Sequence, residues 1–286
     1  MFVWSKVSPV SKQSILEERF LGLAQTNAVI TELSGKKRFR IEVYCDDKND
    51  GQNLLNEFGG RLSKLKIKDW VKLNASSKRP PIKIRDRLII TDTDDPKEIK
   101  KICDRFEGRD VISIPAALAF GTGDHETTST CLRLLVDLAK EHNKNNKEWS
   151  LCDIGTGTGI LAIAAKILGS KMVDCFDFDS TAISIAKRNI SRNQTSGIFI
   201  YETDLFEWEP KKKNCWDIIT ANIFANVLNA NLSKIFNALA PGGNLILSGI
   251  LREHENSVIE SAQKTSLTNP IIYRKGKWVS MHYHKD

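Results

Sequence analysis

The chain has no apolar run approaching the ~20 residues that a bilayer-spanning helix requires. Its N-terminus, MFVWSKVSPVSKQ, has no basic stretch ahead of an apolar core, which reads against a secretory signal. A soluble protein of the cytoplasm is the expectation. The six cysteines (Cys45, Cys103, Cys131, Cys152, Cys175 and Cys215) form no CxxC, and several fall inside apolar runs such as LCDIG and MVDCFDF. They read as small buried hydrophobes in a reducing compartment, not as disulfides or metal ligands. The five histidines contain no HxxxH, and their single alternating pair, His282 and His284, is read as the two faces of a terminal strand. No bound metal is expected.

What is present is an ordinary globular composition, 41% hydrophobic and 27% charged, with an uneven net charge of +7. Residues 61–87 hold ten basic side chains, from Arg61 through Arg87, against Asp69 and Asp86 alone. The remainder of the chain is close to neutral.

Hydrophobic spacing divides the chain. Phe2–Val7 reads as a strand and Ser11–Leu23 as a helix. Asn27–Leu33 and Phe39–Cys45 read as a strand pair around Ser34-Gly35-Lys36, followed by a helix over Gln52–Phe58 and a strand over Leu62–Ile67. That order is a split βαβ, ferredoxin-like arrangement. It predicts a small N-terminal α+β domain over 1–67, a basic linker over 68–81 and a larger domain over 82–286. Ile82–Thr91 reads as a single strand. From Ser150 onward, strands and helices alternate through Glu253–Lys264, the pattern of an α/β, doubly wound, mostly parallel sheet. The chain closes in a hairpin, Ile271–Tyr273 with Trp278–His282, which predicts one antiparallel strand at the C-terminal edge.

Three clusters carry chemistry. Gly155-Thr156-Gly157-Thr158-Gly159 lies between a buried strand and a helix, where glycines let a ligand approach the backbone and the helix N-terminus offers N–H groups. Asp177 ends the next strand, where a carboxylate accepts from ribose hydroxyls. Together they indicate an adenosine-containing ligand. Gly157-x-Gly159-x-x-Ala162 also fits a dinucleotide fingerprint, so a nicotinamide-dependent oxidoreductase stays open. Asp153 beside the loop favours a ligand carrying a sulfonium and an ammonium over a pyrophosphate. Asp204 is a candidate partner for the adenine amino group. In the second cluster, AFGTGDHETTS, Thr127, Thr128 or Ser129 can cap the helix read over Cys131–Ala139, and His125 is read as a solvated loop histidine in preference to a base. In the third, Asn222 follows a strand end on the crevice side of the sheet, where its carbonyl can accept from a substrate amine.

With those positions in hand, the chain resembles the PrmA family, S-adenosylmethionine-dependent enzymes that methylate large-subunit ribosomal protein eleven. The resemblance rests on AFGTGDHETTSTCLRLL, LCDIGTGTGILAIAAKILGS, FDFDSTAISIAKRN, ANIFANVL and PGGNLILSGIL. It implies a methyltransferase-type sheet and S-adenosylmethionine as cofactor. Carried over, cofactor contacts fall on Thr128, Gly155, Asp177 and Asn222, with Gly157 in the same loop. Asn222 is the candidate for orienting the acceptor amine, and Phe224 for shaping the channel. Asp124 and Glu126 stand where the family usually has Thr and Pro, and Thr156 where it usually has Cys; Asn74 stands where a second tryptophan often follows Trp70. The expected activity is transfer of methyl groups to lysine side chains or the N-terminal amine of a large-subunit ribosomal protein. Methylation of another protein lysine or of RNA is the alternative, and residues 61–87 are a candidate contact with ribosomal RNA.

Overall fold

Alternation is cleanest where Phe39, Ile41, Val43 and Cys45 are buried while Arg38 and Arg40 face solvent. The computed structural model describes residues 2–9, 27–32, 38–45, 48–64, 80–115, 125–210 and 215–285. It separates into two units, Met1–Ser77 and Lys78–Asp286. In the first, β1 (Phe2–Pro9), β2 (Asn27–Glu32), β3 (Arg38–Cys45) and β4 (Arg61–Lys64) form a sheet in the order β2-β3-β1-β4. Every neighbouring pair is antiparallel. Helix α1 (Lys48–Phe58) adds Leu54 and Phe58 to a core of Trp4, Phe39, Ile41 and Val43. The indole N–H of Trp4 donates to the Gly59 carbonyl at 2.7 Å, so the large buried ring leaves no polar atom unpaired. The helix expected over Ser11–Leu23, the Ser34-Gly35-Lys36 turn and most of the linker lie outside the described residues.

The second unit opens with a difference from expectation. The single strand read over Ile82–Thr91 is a hairpin, β5 (Ile82–Ile84) and β6 (Leu88–Thr91), turning at residues 85–87. Arg85 takes a left-handed φ of 51°, which no composition rule announces for arginine. Tertiary contacts hold it: its guanidinium meets Asp137 at 2.5 Å, and Arg109 donates to its carbonyl at 2.6 Å. Next come α2 (Pro96–Arg105) and β7 (Asp110–Ser113), which pairs parallel with β6. Helix α2 fully buries none of its residues, but Ile99, Ile102, Cys103 and Phe106 follow helical spacing, a sequence signal that the expectations missed. Its start is set by Asp95, whose carboxylate accepts from the Lys97 N–H at 2.9 Å, with Pro96 in the first turn.

The main sheet comprises β8 (Ser150–Ile154), β9 (Met172–Asp177), β10 (Ile198–Glu202), β11 (Trp216–Asn222), β12 (Leu239–Leu251), β13 (Ile271–Lys275) and β14 (Trp278–His284). Their order is β10-β9-β8-β11-β12-β14-β13. The strands β8 to β12 run parallel, and β14 is antiparallel to both its neighbours. The antiparallel strand is therefore one in from the edge, not at it: the hairpin folds back so that β14 docks on β12 and β13 takes the outer position. Helices α3 (Glu126–Lys144) and α4 (Ile160–Ile167) pack on one face over Leu151, Val173, Ile218 and Ile246. On the other face α6 (Ala225–Ala238) and α7 (Glu255–Gln263) cover Cys152, Ile154, Ile219 and Leu247. Helix α5 (Ser180–Arg192) joins β9 to β10. Both faces being covered explains the near-continuous apolar strands.

Candidate functional site

The carboxyl ends of the adjacent strands β9, β8 and β11 place Asp177, the glycine loop and Asn222 side by side. Gly155, Gly157 and Gly159 all have left-handed φ values (67°, 55° and 80°). A Cβ on Gly155 would collide with Cγ2 of Ile223, so the loop and the segment after β11 fit together only because that position is glycine. Asp177 is 8% exposed; its Oδ2 accepts from the Gly157 N–H at 2.9 Å and its Oδ1 from the Asp179 N–H at 3.1 Å. Burial pushes its carboxyl up, and those N–H donors pull it back. Asp204 is exposed and turns Oδ1 onto the Phe206 N–H at 2.9 Å.

Asp153 does not stand exposed as a charge beside the loop. It is 1% exposed, with Oδ2 accepting from Thr156 Oγ1 at 2.7 Å and Oδ1 from Thr220 Oγ1 at 2.6 Å. Burial raises its carboxyl from 3.8 to about 6, against the opposing pull of both hydroxyls. Strand alternation turns this side chain under α3, so its power to discriminate against a pyrophosphate is lost. The strand order supplies that discrimination instead. A wound dinucleotide-binding sheet runs parallel in the order 3-2-1-4-5-6, whereas here an antiparallel strand is inserted between the last two positions.

At the start of α3 the cap is His125, not Thr127, Thr128 or Ser129. Its Nδ1 accepts from the Thr127 N–H at 3.4 Å and meets Thr127 Oγ1 at 2.7 Å, and its ring lies edge-on to Trp278 at 5.0 Å. The imidazole expected to be solvated is thus engaged in holding the helix start. Thr128 is left buried inside the first turn, where its hydroxyl is 3.5 Å from Nδ2 of Asn222. Asn222 does not cap α6, whose N-cap is Phe224 without a side-chain bond. Its Oδ1 is buried and has no hydrogen-bond partner among the described residues. An orphaned amide acceptor of this kind is costly unless a donor arrives from beyond the described residues. Phe224 is 44% exposed at the same strand end.

Gly249, which spacing alone did not single out, makes this arrangement possible. It sits at φ 79° where β12 bulges against β14, and a Cβ there would lie 2.8 Å from the Ile223 carbonyl and 3.2 Å from Asn222 Oδ1. A glycine inside a strand is the sequence signal for such a bulge. Asp124 and residues 116–123 lie outside the described residues; Glu126 is exposed, with its carboxylate against Gly276. His282 and His284 are on one face of β14, not two, since both rings meet Asn244 Oδ1, at 2.9 and 3.4 Å. No group of three or more His, Cys, Asp or Glu side chains placed to hold a metal occurs among the described residues.

In the basic segment, Arg85 pairs with Asp137 and Arg87 with Asp110 at 3.1 Å, while Lys83 lies over the Phe106 ring at 5.0 Å. These described side chains brace the β5-β6-β7 sheet. No helix among the described residues is long and apolar enough to cross a membrane.

The inserted antiparallel strand, the glycine loop and the acidic end of β9 define the fold of an S-adenosylmethionine-dependent methyltransferase. The chain belongs, more narrowly, to the ribosomal protein L11 methyltransferase (PrmA) family, whose model matches residues 10–286. A ribosomal protein L11 methyltransferase of Trichlorobacter lovleyi is 36% identical over 79% of this chain and 70% of its own length. Another, of Polynucleobacter necessarius, is 32% identical over 88% of this chain and 71% of its own. The match to that of Macrococcus caseolyticus, 34% identical, spans 63% of this chain and only 55% of the relative. The crystal structure of a ribosomal protein L11 methylase from Lactobacillus delbrueckii superposes with a TM-score of 0.59 at 27% identity, covering 73% of this chain and all of that one.

Proposed function

We propose that the protein transfers methyl groups from S-adenosylmethionine to amino groups, lysine side chains or the N-terminal amine, of ribosomal protein L11. The observation that carries the reading is the buried, unpartnered Asn222 Oδ1 beside the glycine loop, an acceptor awaiting an N–H. The donor set suits the cofactor. Gly155 and Gly157 would offer backbone approach, Asp177 would accept from ribose hydroxyls through its remaining lone pairs, and Thr128 would supply a buried hydroxyl beside Asn222. When bound, S-adenosylmethionine supplies an electrophilic methyl on a sulfonium. Asn222 would orient the incoming amine toward that methyl, and the amine proton would leave to water. Such positioning is worth about 7–11 kcal/mol of barrier. A lysine must first lose its proton, which costs about 4.6 kcal/mol at pH 7 from a pKa near 10.4. A neighbouring sulfonium lowers that cost by like-charge repulsion. No dedicated base is then required, in keeping with the capping role of His125.

The N-terminal unit is read as a ferredoxin-like recognition domain for the protein substrate, over 1–67 with a basic linker over 68–81. Its antiparallel β2-β3-β1-β4 order supports that reading. Contact with ribosomal RNA through 61–87 is narrowed by the intramolecular partners of Lys83, Arg85 and Arg87. Incubating the purified chain with L11 and S-adenosylmethionine, followed by mass spectrometry, tests the function: mass increments of methyl groups on lysines or the N-terminus are expected. An unmodified L11 alongside a methylated RNA would replace the substrate assignment.

A further inference from the structure

Asp153 stands opposite Thr220 in the parallel β8–β11 ladder, and its two oxygens take two hydroxyls from different segments. Thr156 belongs to the glycine loop. Thr220 lies two residues before Asn222 on β11, hence on the same face of the strand. One buried carboxylate therefore joins the segment read as holding the cofactor to the strand read as presenting the acceptor. The Ala162 N–H, at the amino end of α4, gives further support to its charged form. It makes no ion pair among the described residues. After burial, Asp177 from β9 raises its carboxyl further, and Asp153 in turn adds to the burial that pushes up the thiols around it: Cys175 from β9, Cys131 from α3 and Cys152 beside it on β8. Burying a carboxylate without a cation is unfavourable, and apolar side chains would hold two parallel strands together at less cost. What an apolar pair would not supply is direction: two short bonds on one rigid group fix the loop and the strand end relative to each other. In-line transfer is sensitive to that distance, since a 1 Å misplacement can cost about 10²-fold in rate.

We propose that Asp153 is a positioning residue that, through Thr156 and Thr220, sets the spacing between the glycine loop and Asn222 and so couples cofactor binding to alignment of the acceptor amine. This rests on the methyltransferase reading above. The test uses the full chain, with Thr156→Val, Thr220→Val, the double variant and Thr220→Ser. Measured for each are S-adenosylmethionine affinity by calorimetry, kcat and KM for L11 methylation, and Tm. Thr220→Val should lower kcat at saturating cofactor by about tenfold, equivalent to about 1.4 kcal/mol, and should also weaken cofactor affinity measurably. Thr156→Val should show the same cross-effect on kcat. The double variant should lose less than the product of the two single losses, because both act through one carboxylate. Thr220→Ser, which keeps the donor, should restore kcat. A Thr220→Val protein with lowered Tm but wild-type kcat, KM and affinity would sink the proposal, as would strictly multiplicative losses in the double variant. Should Thr220→Val not fold, Thr156→Val with Thr156→Ser decides by the same kcat and rescue criteria. A wild-type chain that binds no S-adenosylmethionine would overturn the functional reading itself; one that binds and methylates while Thr220→Val is silent removes only the role of Asp153.

Discussion

The roles proposed for Asp177 and Asn222 bear on different terms of the kinetics, and substitutions separate them. Asp177→Ala removes a carboxylate that orders the Gly157 N–H and leaves ribose hydroxyls without an acceptor. Charge-assisted bonds are worth about 1.5–3 kcal/mol, so cofactor affinity should fall roughly 10- to 100-fold by calorimetry. Asn222→Ala should instead lower kcat at saturating cofactor, by at least about tenfold, since its Oδ1 has no partner to lose within the described chain. Asp153 contributes a pH dependence. Its carboxyl titrates at about 6 in the folded chain against an ordinary 3.8, so between those values the folded state holds a proton that the unfolded state has released. Stability from this group therefore falls as pH rises from 3.8 to about 6 and is level above. Denaturant titrations of wild type and Asp153→Asn should show the variant gaining relative stability over that window; a difference independent of pH would contradict the assignment. Asp177 and the glycines could be read from the sequence because turn chemistry is local. The inward turn of Asp153 could not, since it depends on which face α3 covers.

At the scale of elements, the site depends on a bulge and a hairpin. Gly249→Ala would place a methyl 2.8 Å from the Ile223 carbonyl at a φ of 79°. Either the strand shifts or Asn222 does, and the expected cost is about 1–3 kcal/mol. Thermal denaturation should show a lowered Tm together with reduced kcat, whereas wild-type values for both would show that β12 accommodates the side chain. The helices and strands of the wound sheet were readable in outline, because each strand is buried on both faces and each helix carries an apolar stripe. Others were not. Helix α2 was missed despite its helical apolar spacing, β7 is only four residues long, the β5–β6 turn needs a left-handed arginine braced by Asp137 and Arg109, and β12 extends over Leu239–Leu251 beyond its apolar centre through Pro241-Gly242-Gly243.

At the scale of the molecule, the two units invite a division of labour. A chain lacking residues 1–77 retains every described group of the site. It should bind S-adenosylmethionine with unchanged affinity yet lose methylation of L11; full activity of the shortened chain would remove the N-terminal unit from recognition. The uneven net charge bears on the same question. Of the ten basic residues in 61–87, Arg85 and Arg87 are committed to ion pairs in the second unit and Lys83 to an aromatic ring. Ion pairs this exposed are worth about 0–1 kcal/mol each.

By itself, the sequence determined the wound α/β class, the place of the glycine loop, the acidic end of β9 and the place of Asn222 at the end of β11. All follow from apolar spacing and turn residues acting over a few neighbours. The tertiary structure alone decided that β14 inserts between β12 and β13, that Asp153 bridges two strands instead of facing a ligand, and that Thr128 meets Asn222 from 94 residues away. Those outcomes depend on which strands pair and which faces the helices cover, and long-range pairing of that kind leaves no periodic trace in the chain.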